Sequence, residues 1–463
     1  MKKLNIIIAG FVALVLTGCK SLYGKYERPD VQTSGLVRDA VSATDTLVAK
    51  DASSFGNLPW RNVFTDPQLQ MLVELGLNHN TNLLNAALNV QIAEAQLKSA
   101  KLSFLPSFSF SPQGTIASWD GNKATQTYSL PVNASWSIDL FGNLLSQKRA
   151  AQMALLQTRN YQVAVQTNLI ANIANMYYTL LMLDKQLQLV SDMEILTKDT
   201  WDIMKVRKDA SRGIRSTAVQ AAESNYYSVL TRKADLNRQV RETENALSLL
   251  VSQQVQAIPR GKLENQSLPT DFSTGVGVQL LNNRADVYAA EMSLAQCFYN
   301  VETARSRFYP ALNLAASGAF TNSAGGMVVN PGRWLLSAVG SLTQPIFQNG
   351  KIIAGLKVAK AQYEQAYNTW QNAILKAGSE VSNALVQYNT SDEKSKIEDK
   401  QIQVLKQNVE DTKALMADAG STYLEVISAQ QSLLNTELSK VSDDFSKMQA
   451  VVNLYYALGG GAK

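Results

Sequence analysis

Few side chains in this 463-residue sequence are equipped for chemistry. His79 is the single histidine, and Cys19 and Cys297 are the two cysteines. A metal centre needs several ligands converging on one point, so His79 and Cys297, each alone in its segment, read as structural. The chain has no G-x-x-x-x-G-K-[ST] phosphate loop, no G-x-S-x-G nucleophile turn and no His–Asp constellation. It has no CxxC pattern and no disulfide framework either. The expectation is a protein that is no enzyme and holds no cofactor or metal, apart from a covalent group on Cys19.

Cys19 earns that exception by its position. Met1-Lys2-Lys3 is a positive leader, and the apolar run Leu4 to Leu16 is too short to span a bilayer as a helix. The run ends Leu16-Thr17-Gly18-Cys19, which resembles the lipobox of bacterial lipoproteins. Residues 1–18 then form a signal peptide, and Cys19 becomes the lipid-bearing N-terminus; the competing reading is an ordinary signal peptide with an incidental cysteine. No other run approaches the eighteen or so apolar residues of a membrane helix. A net charge of +5, or +3 once Lys2 and Lys3 are removed, gives no reason to expect nucleic acid.

The elements that must position everything else alternate between very long helices and short β segments. Residues 19–59 lack periodicity and read as an extended arm. Asp66 as N-cap with Pro67 at the first helical position starts a helix that the pattern carries to about Ser103. Residues 104–141 form a β-hairpin. From Gln126, one set of alternate positions reads Tyr128, Leu130, Val132, Ala134, Trp136, Ile138, and the other reads Thr127, Ser129, Pro131, Asn133, Ser135, Ser137. Asp120-Gly121-Asn122 supplies the turn. Gly142 opens a helical pattern without Pro or Gly until Gly213, about seventy residues and roughly 100 Å. A second helix returns to about Ser252, and residues 253–277 link the halves.

The second half repeats the plan. A helix runs from about Val278 to Arg307, a hairpin covers 311–347 with its last strand from about Trp334 to Ile346, and Gly350 opens another long helix. The loop between those two strands is expected to hold Gly325, Gly326, Pro331 and Gly332. The chain reverses near Gly420 and returns to about Leu458, before a glycine-rich tail over 459–463. Residues 60–252 and 278–458 are therefore tandem copies. Ala100 to Pro106 aligns with Ala304 to Pro310, Gly142 with Gly350, and Gly213 with Gly420, at offsets of 204, 208 and 207.

Four strands with one apolar and one polar face fit either a β-sandwich patch on helices or part of a membrane barrel. Open strand edges are not tolerated in lipid, because unpaired N–H and C=O groups there cost several kcal/mol each. Membrane barrels close with eight strands or more, so the membrane reading requires several copies of the chain. Phe110, Trp119, Trp136 and Trp334 are then either interfacial aromatic girdles or packing residues.

At this point the residues carry a resemblance. Trp60, Phe64, Asp66-Pro67 and Leu69, then Asp139-Leu140-Phe141-Gly142, are similar to motifs of the TolC-like outer membrane factors, in particular the lipidated NodT-type efflux proteins. Arg284-Ala285-Asp286-Val287 with Ala290-Glu291 resembles a third motif, with Ala285 where the family has proline. Pro345-Ile346-Phe347 with Gly350, and Tyr423-Leu424 with Ala429-Gln430, complete the series. The resemblance implies a mainly α protein with transmembrane β structure: a homotrimer whose twelve-stranded outer-membrane barrel continues into a twelve-helix periplasmic tunnel. It implies contact with outer-membrane lipid, a periplasmic adaptor and an inner-membrane RND-type transporter, with small toxic compounds as passive cargo. A duct for type I protein secretion and a non-pore, lipid-anchored coiled-coil spacer are the alternatives.

In that family the helix reversals form the periplasmic tip. Here they read Arg207-Lys208-Asp209-Ala210-Ser211-Arg212-Gly213 and Ala417-Asp418-Ala419-Gly420-Ser421. Three-fold symmetry would gather copies of Asp418, and of Asp209, into acidic rings that favour cations; otherwise these aspartates satisfy backbone donors at turns. Arg207, Lys208, Arg212, Gly213, Gly420 and Ser421 are the candidates for adaptor contact. The polar run Thr390 to Lys400 is expected to be a solvated helix face.

Overall fold

The computed structural model describes residues 24–31, 36, 55–118, 120–121, 123–210, 215–269, 284–324, 327–417 and 423–462. Asp66 caps the first long helix, α1 (Pro67–His79), as its sequence predicts, with Oδ1 accepting from the Gln68 amide at 2.9 Å. The expected single helix to Ser103 is instead two, because α2 (Thr81–Leu102) begins after a break at Asn80. Asn80 is extended. Its Oδ1 accepts from the Leu83 amide at 3.0 Å while its Nδ2 donates to the Leu250 carbonyl at 2.8 Å. A distant helix end thus uses the Asn80 side chain, and the local period carries no sign of it.

After α2 come β1 (Ser107–Phe110), β2 (Gln113–Ala117) and β3 (Thr125–Ile138), then α3 (Asn143–Asp209) and α4 (Ser216–Leu250). The second repeat supplies α5 (Ala285–Ser306), β4 (Ala311–Ala324), β5 (Met327–Thr343), α6 (Lys351–Ala417) and α7 (Tyr423–Ala457). Helix lengths match pair by pair: 22 residues in α2 and α5, 67 in α3 and α6, 35 in α4 and α7. Each 67-residue helix is about 100 Å long. Gly142 and Gly350 stand before the two long helices with φ of +70° and +76°. In that left-handed region a side chain is strained, and glycine is not. α5 starts at Ala285, not near Val278, and residues 270–283 lie outside the described part. Ala285 is the first helical residue, where the family's proline would also be accommodated.

All strands form one antiparallel sheet in the order β1–β3–β4–β5, with β2 also paired to β3. β1 and β2 are therefore one strand interrupted at Ser111-Pro112. Asp120 and Gly121, both at positive φ, turn the chain into β3. β5 begins at Met327 rather than Trp334, so Pro331 and Gly332 lie within a strand and not in a loop. The register shifts between Thr321 and Ser323, giving a wide bulge opposite Asn322. On the β3 side, Asn322 replaces the lost backbone pairing: Oδ1 accepts from the Tyr128 amide at 2.7 Å and Nδ2 donates to the Gln126 carbonyl at 3.1 Å.

Two compact units cut across the repeats. The first comprises residues 1–31, 88–160 and 289–372, and the second comprises 32–87, 161–288 and 373–463. The first contains the whole sheet and small apolar clusters, Ala93, Leu97 and Leu155 in one repeat and Val301, Ala304 and Ala359 in the other. The arm lies along α5 there. Arg28 pairs with Glu291 at 2.6 Å, and the Tyr26 amide donates to the Tyr299 hydroxyl at 3.2 Å.

The second unit holds the main core. Trp60, Phe64 and Leu69 of the opening motif are buried in it with Tyr177, Tyr178 and Tyr455. The inter-repeat linker is fastened to this core. Asp66 Oδ2 accepts from the Tyr177 hydroxyl at 2.6 Å and from Gln266 at 2.8 Å, and Tyr177 in turn accepts from the Gly261 amide at 3.0 Å. Burial pushes the Asp66 carboxyl up, but these donors and the Gln68 and Leu69 amides outweigh it and hold it below its ordinary range. Arg284, 2% exposed, pairs with Asp286 at 2.7 Å and Glu380 at 2.6 Å. The glycine tail is also held, since the Tyr455 hydroxyl donates to the Leu58 carbonyl and accepts from the Gly461 amide.

Residues 390–400 are not simply solvated. Ser391, Ser395 and Glu398 are buried, Lys394 pairs with Asp443 at 2.6 Å, and Asp392 pairs with Lys447 at 2.5 Å. The charges of α6 are matched across to α7, which is how so polar a run packs against a neighbour.

Candidate membrane and pore site

Register assigns every strand residue to a face. On one side Phe108, Phe110 and Ile116 lie with Leu130, Val132, Ala134 and Trp136 of β3. Leu312, Leu314, Ala316 and Phe320 of β4, then Trp334, Leu336 and Leu342 of β5, continue the same face. That face is uncovered: Trp334 is 74% exposed and Leu336 80%. An apolar surface of this extent facing water would drive association or membrane insertion.

The opposite face is hydroxyl- and amide-rich. Ser137 donates to Asn313 Oδ1 at 2.7 Å, Ser317 and Ser337 hydroxyls lie 2.7 Å apart, and Asn133 donates to Ser111 at 3.0 Å. Leu335 and Val339 of β5 interrupt this face, and Arg333 is the one charged residue in the five strands. Alternation of this kind is the pattern of a strand set with lipid outside and water inside.

Aromatic residues mark two levels. Trp136 lies in register with Leu314 and Gly340, and six positions earlier in β3, Leu130 lies in register with Phe320 and Trp334. Six residues of strand span about 20 Å, close to the roughly 25 Å apolar band that aromatic girdles bound in membrane barrels. Phe320 and Trp334 pack edge to face at 5.7 Å. Phe110, opposite Val132, lies between the two levels rather than in either. Trp119 lies outside the described residues.

The sheet has two open edges, β1/β2 and β5. Unpaired backbone groups on an edge are not tolerated in hydrocarbon.

Of the candidates at the helix reversals, Arg207, Lys208 and Asp209 close α3, with Lys208 and Asp209 exposed. A carboxylate at a helix C-terminus opposes the macrodipole, whereas Arg207 and Lys208 favour it, so Asp209 is not there for helix stability. Arg212, Gly213, Asp418, Gly420 and Ser421, like Cys19, lie outside the described residues. Just before this helix end, Trp201 stacks on Tyr226 at 5.7 Å with Lys205 5.4 Å from its ring. Gln430 donates to Thr200 at 3.0 Å and Gln431 to Asn225 at 2.8 Å. In the sequence Gln430 stands out only as part of a family motif. Its pairing with α3 became visible only when the helices were placed.

His79 Nδ1 meets the Leu75 carbonyl at 3.1 Å at a helix end, and burial pushes the Cys297 thiol up, which makes it a poor nucleophile. No group of three or more metal-ligating side chains occurs among the described residues. No helix among them is long and apolar enough to cross a membrane.

The sequence profile of the family described as "Outer membrane efflux protein" matches residues 72–253 and 276–460, both repeats almost end to end. This chain belongs to the outer membrane efflux protein family. It is an outer-membrane exit duct for efflux, with its sheet in the outer membrane and its helices extending into the periplasm. The chain is 28% identical to the cation efflux system protein CusC of Escherichia coli strain K12, over 97% of this chain and 98% of that protein. It is 25% identical to the probable outer membrane lipoprotein SilC of Salmonella typhimurium, over 96% of each chain. The open-state crystal structure of the MtrE outer membrane channel of Neisseria gonorrhoeae shares its fold, with a TM-score of 0.83 and 25% identity over 95% of this chain and 98% of that one.

Proposed function

We propose that three copies of this chain pair edge to edge, β5 of one with β1/β2 of the next, into a twelve-stranded barrel that serves a tripartite efflux pump. The observation that carries this is the open amphipathic sheet of four strand positions. Two copies would give eight strands, whose interior is just wide enough for side chains to fill. Three is the smallest number that leaves a water-filled lumen, lined here by the Ser, Thr and Asn face. The duct passes small toxic compounds without transforming them, delivered by an inner-membrane RND-type transporter through a periplasmic adaptor. Adaptor contact falls to the helix reversals at Arg207 to Gly213 and around Gly420 and Ser421, and Asp209 and Asp418 ring the periplasmic opening. The relatives' names include cation efflux, and acidic rings would suit cationic cargo.

Lipidation of Cys19 fits the course of the arm. From Arg28 beside Glu291 to Gly24 beside Phe298, the arm advances along α5 toward Ser306, where the sheet begins. Cys19 lies five residues before Gly24, a reach of up to about 17 Å, enough to bring a lipid to the sheet's base. Native mass spectrometry of the detergent-solubilised full chain tests the assembly. Mass of three lipidated protomers supports the reading, and a monomer or dimer that conducts contradicts it.

A further inference from the structure

Charge is distributed very unevenly along this chain, and the excess gathers where the sheet meets the helices. The end of α2 through Pro106 carries Lys98 and Lys101 and no acid. Asp139 through Arg149, at the start of α3, carries Lys148 and Arg149 against Asp139. The end of α5 through Pro310 carries Arg305 and Arg307 against Glu302. Gln344 through Lys360, at the start of α6, carries Lys351, Lys357 and Lys360 and no acid. Nine cations face two anions, a surplus of seven in about a tenth of a chain whose whole formal charge is +5.

Both anions are already engaged locally. Asp139 caps α3 by accepting from the Leu145 amide at 2.8 Å, and Glu302 is buried beside Arg305 at 2.5 Å. Of the nine cations, Arg305 alone is in an ion pair among the described residues. Lys98, Lys101, Arg307, Lys351, Lys357 and Lys360 are exposed.

The cations adjoin the apolar face. Trp136, on that face, donates from Nε1 to the Phe104 carbonyl at 2.9 Å, and Lys148 Nζ lies 5.9 Å from the Phe104 ring. Between sheet and cations stand exposed apolar side chains, Leu105, Phe308 and Ile346, the last 96% exposed. Hydrocarbon-facing strands, an aromatic level, then uncompensated Lys and Arg is the order in which a membrane's own layers run, acyl chains to phosphates.

We infer that this cationic collar at the base of the sheet docks the phosphate headgroups of anionic phospholipid in the periplasmic leaflet. The inference rests on the reading of the sheet as membrane-spanning. Each cation near an anionic surface is worth about a fivefold preference, reduced by salt, so the collar selects lipid class as well as fixing depth.

The test uses the full lipidated protein in nanodiscs of phosphatidylcholine with phosphatidylglycerol, stripped with neutral detergent, and retained lipids weighed by native mass spectrometry. Phosphatidylglycerol should be enriched over phosphatidylcholine, and the enrichment should survive added inorganic phosphate. Combined Lys101→Gln, Lys148→Gln, Arg307→Gln and Lys357→Gln should lower it by about tenfold or more. A charge-keeping variant, Lys101→Arg with Lys148→Arg and Lys357→Arg, should retain it. Equal enrichment in the glutamine variant overturns the collar, as does loss in the charge-keeping one, which would make the role structural. Displacement by inorganic phosphate would make it a free-anion site and overturn the lipid assignment. Failure of the unmodified chain to enter nanodiscs removes the membrane reading and the collar together, whereas failure of the variant comparisons alone leaves the duct standing.

Discussion

Trp136 donates its indole proton to the Phe104 carbonyl at 2.9 Å, tying the end of β3 to the turn that follows α2. The second repeat makes the same tie with a different residue, Gln344 to the Phe308 carbonyl at 3.0 Å. Position 344 stands 208 residues after Trp136, the offset that also relates Gly142 to Gly350. The duplicated unit therefore preserves the anchoring of sheet to helix while changing the side chain that does it, and each hairpin is held at its base at equivalent points.

The two faces of the sheet should respond oppositely to one charge. Leu336 lies on the apolar face and Ser337 on the polar one. Leu336→Arg should cost about 2–4 kcal/mol in a lipid environment and deplete the protein from outer-membrane fractions. Ser337→Arg, facing the lumen, should assemble normally and alter ion selectivity. Membrane fractionation by immunoblot reads the first effect, and equal depletion of both variants would refute the face assignment.

Gly350 has φ of +76° and no atom within 4 Å of where a Cβ would stand. Gly350→Ala therefore meets no clash, only backbone strain, and should destabilise by about 1–2 kcal/mol. The same change at Gly142, with φ of +70°, should behave alike. Thermal melting of each variant, compared with Gly355→Ala inside α6, checks it. There the substitution should be neutral or stabilising, because alanine is the better helix former.

Arg284 sits buried between two carboxylates. Removing it leaves Asp286 and Glu380 without their shared partner, and loss of one member of a buried ionic group costs about 3–5 kcal/mol. Arg284→Met should lower the apparent melting temperature strongly, and adding Asp286→Asn should recover part of the loss. Melting curves of the single and double variants decide this. Additive losses would mean that the groups act independently.

Asp66 makes a pH-dependent contribution. Its carboxyl titrates below the ordinary value of 3.8 in the folded protein because Tyr177, Gln266 and two amides outweigh the effect of burial. A depressed folded pKa stabilises the fold above the unfolded value and loses that contribution as pH falls through the folded one. The melting-temperature gap between the unmodified chain and Asp66→Asn should be constant at neutral pH and close as pH drops below about 3.8. A gap that widens on acidification would contradict a depressed folded pKa at Asp66.

Local signals carried the architecture a long way. The alternation of Leu130 to Ile138 with its serine-rich partner set, the glycines before the long helices and the spaced motifs all rest on periods of two and 3.6, which a sequence displays directly. The roles of Asn80, Asn322 and the 390–400 run are not legible locally, for one shared reason. Each is a polar segment whose partner is remote: Leu250 for Asn80, Tyr128 and Gln126 for Asn322, and α7 for Asp392 and Lys394. Pro331 and Gly332 imitate a loop because a strand that tolerates a wide bulge at a sheet edge also tolerates turn residues. The cationic collar is not legible locally because its members come from four separated segments, none charged enough alone to stand out.

The central claim is that several copies of this sheet enclose a water-filled passage through the membrane. Purified full-length protein added to a planar lipid bilayer should give discrete, stepwise conductance increments that persist under voltage, with Arg333 and the Ser and Asn face lining the conducting path. Stable insertion without any conductance, including after proteolytic removal of the periplasmic helix ends, would contradict the account and leave the sheet as an anchor for a closed rod.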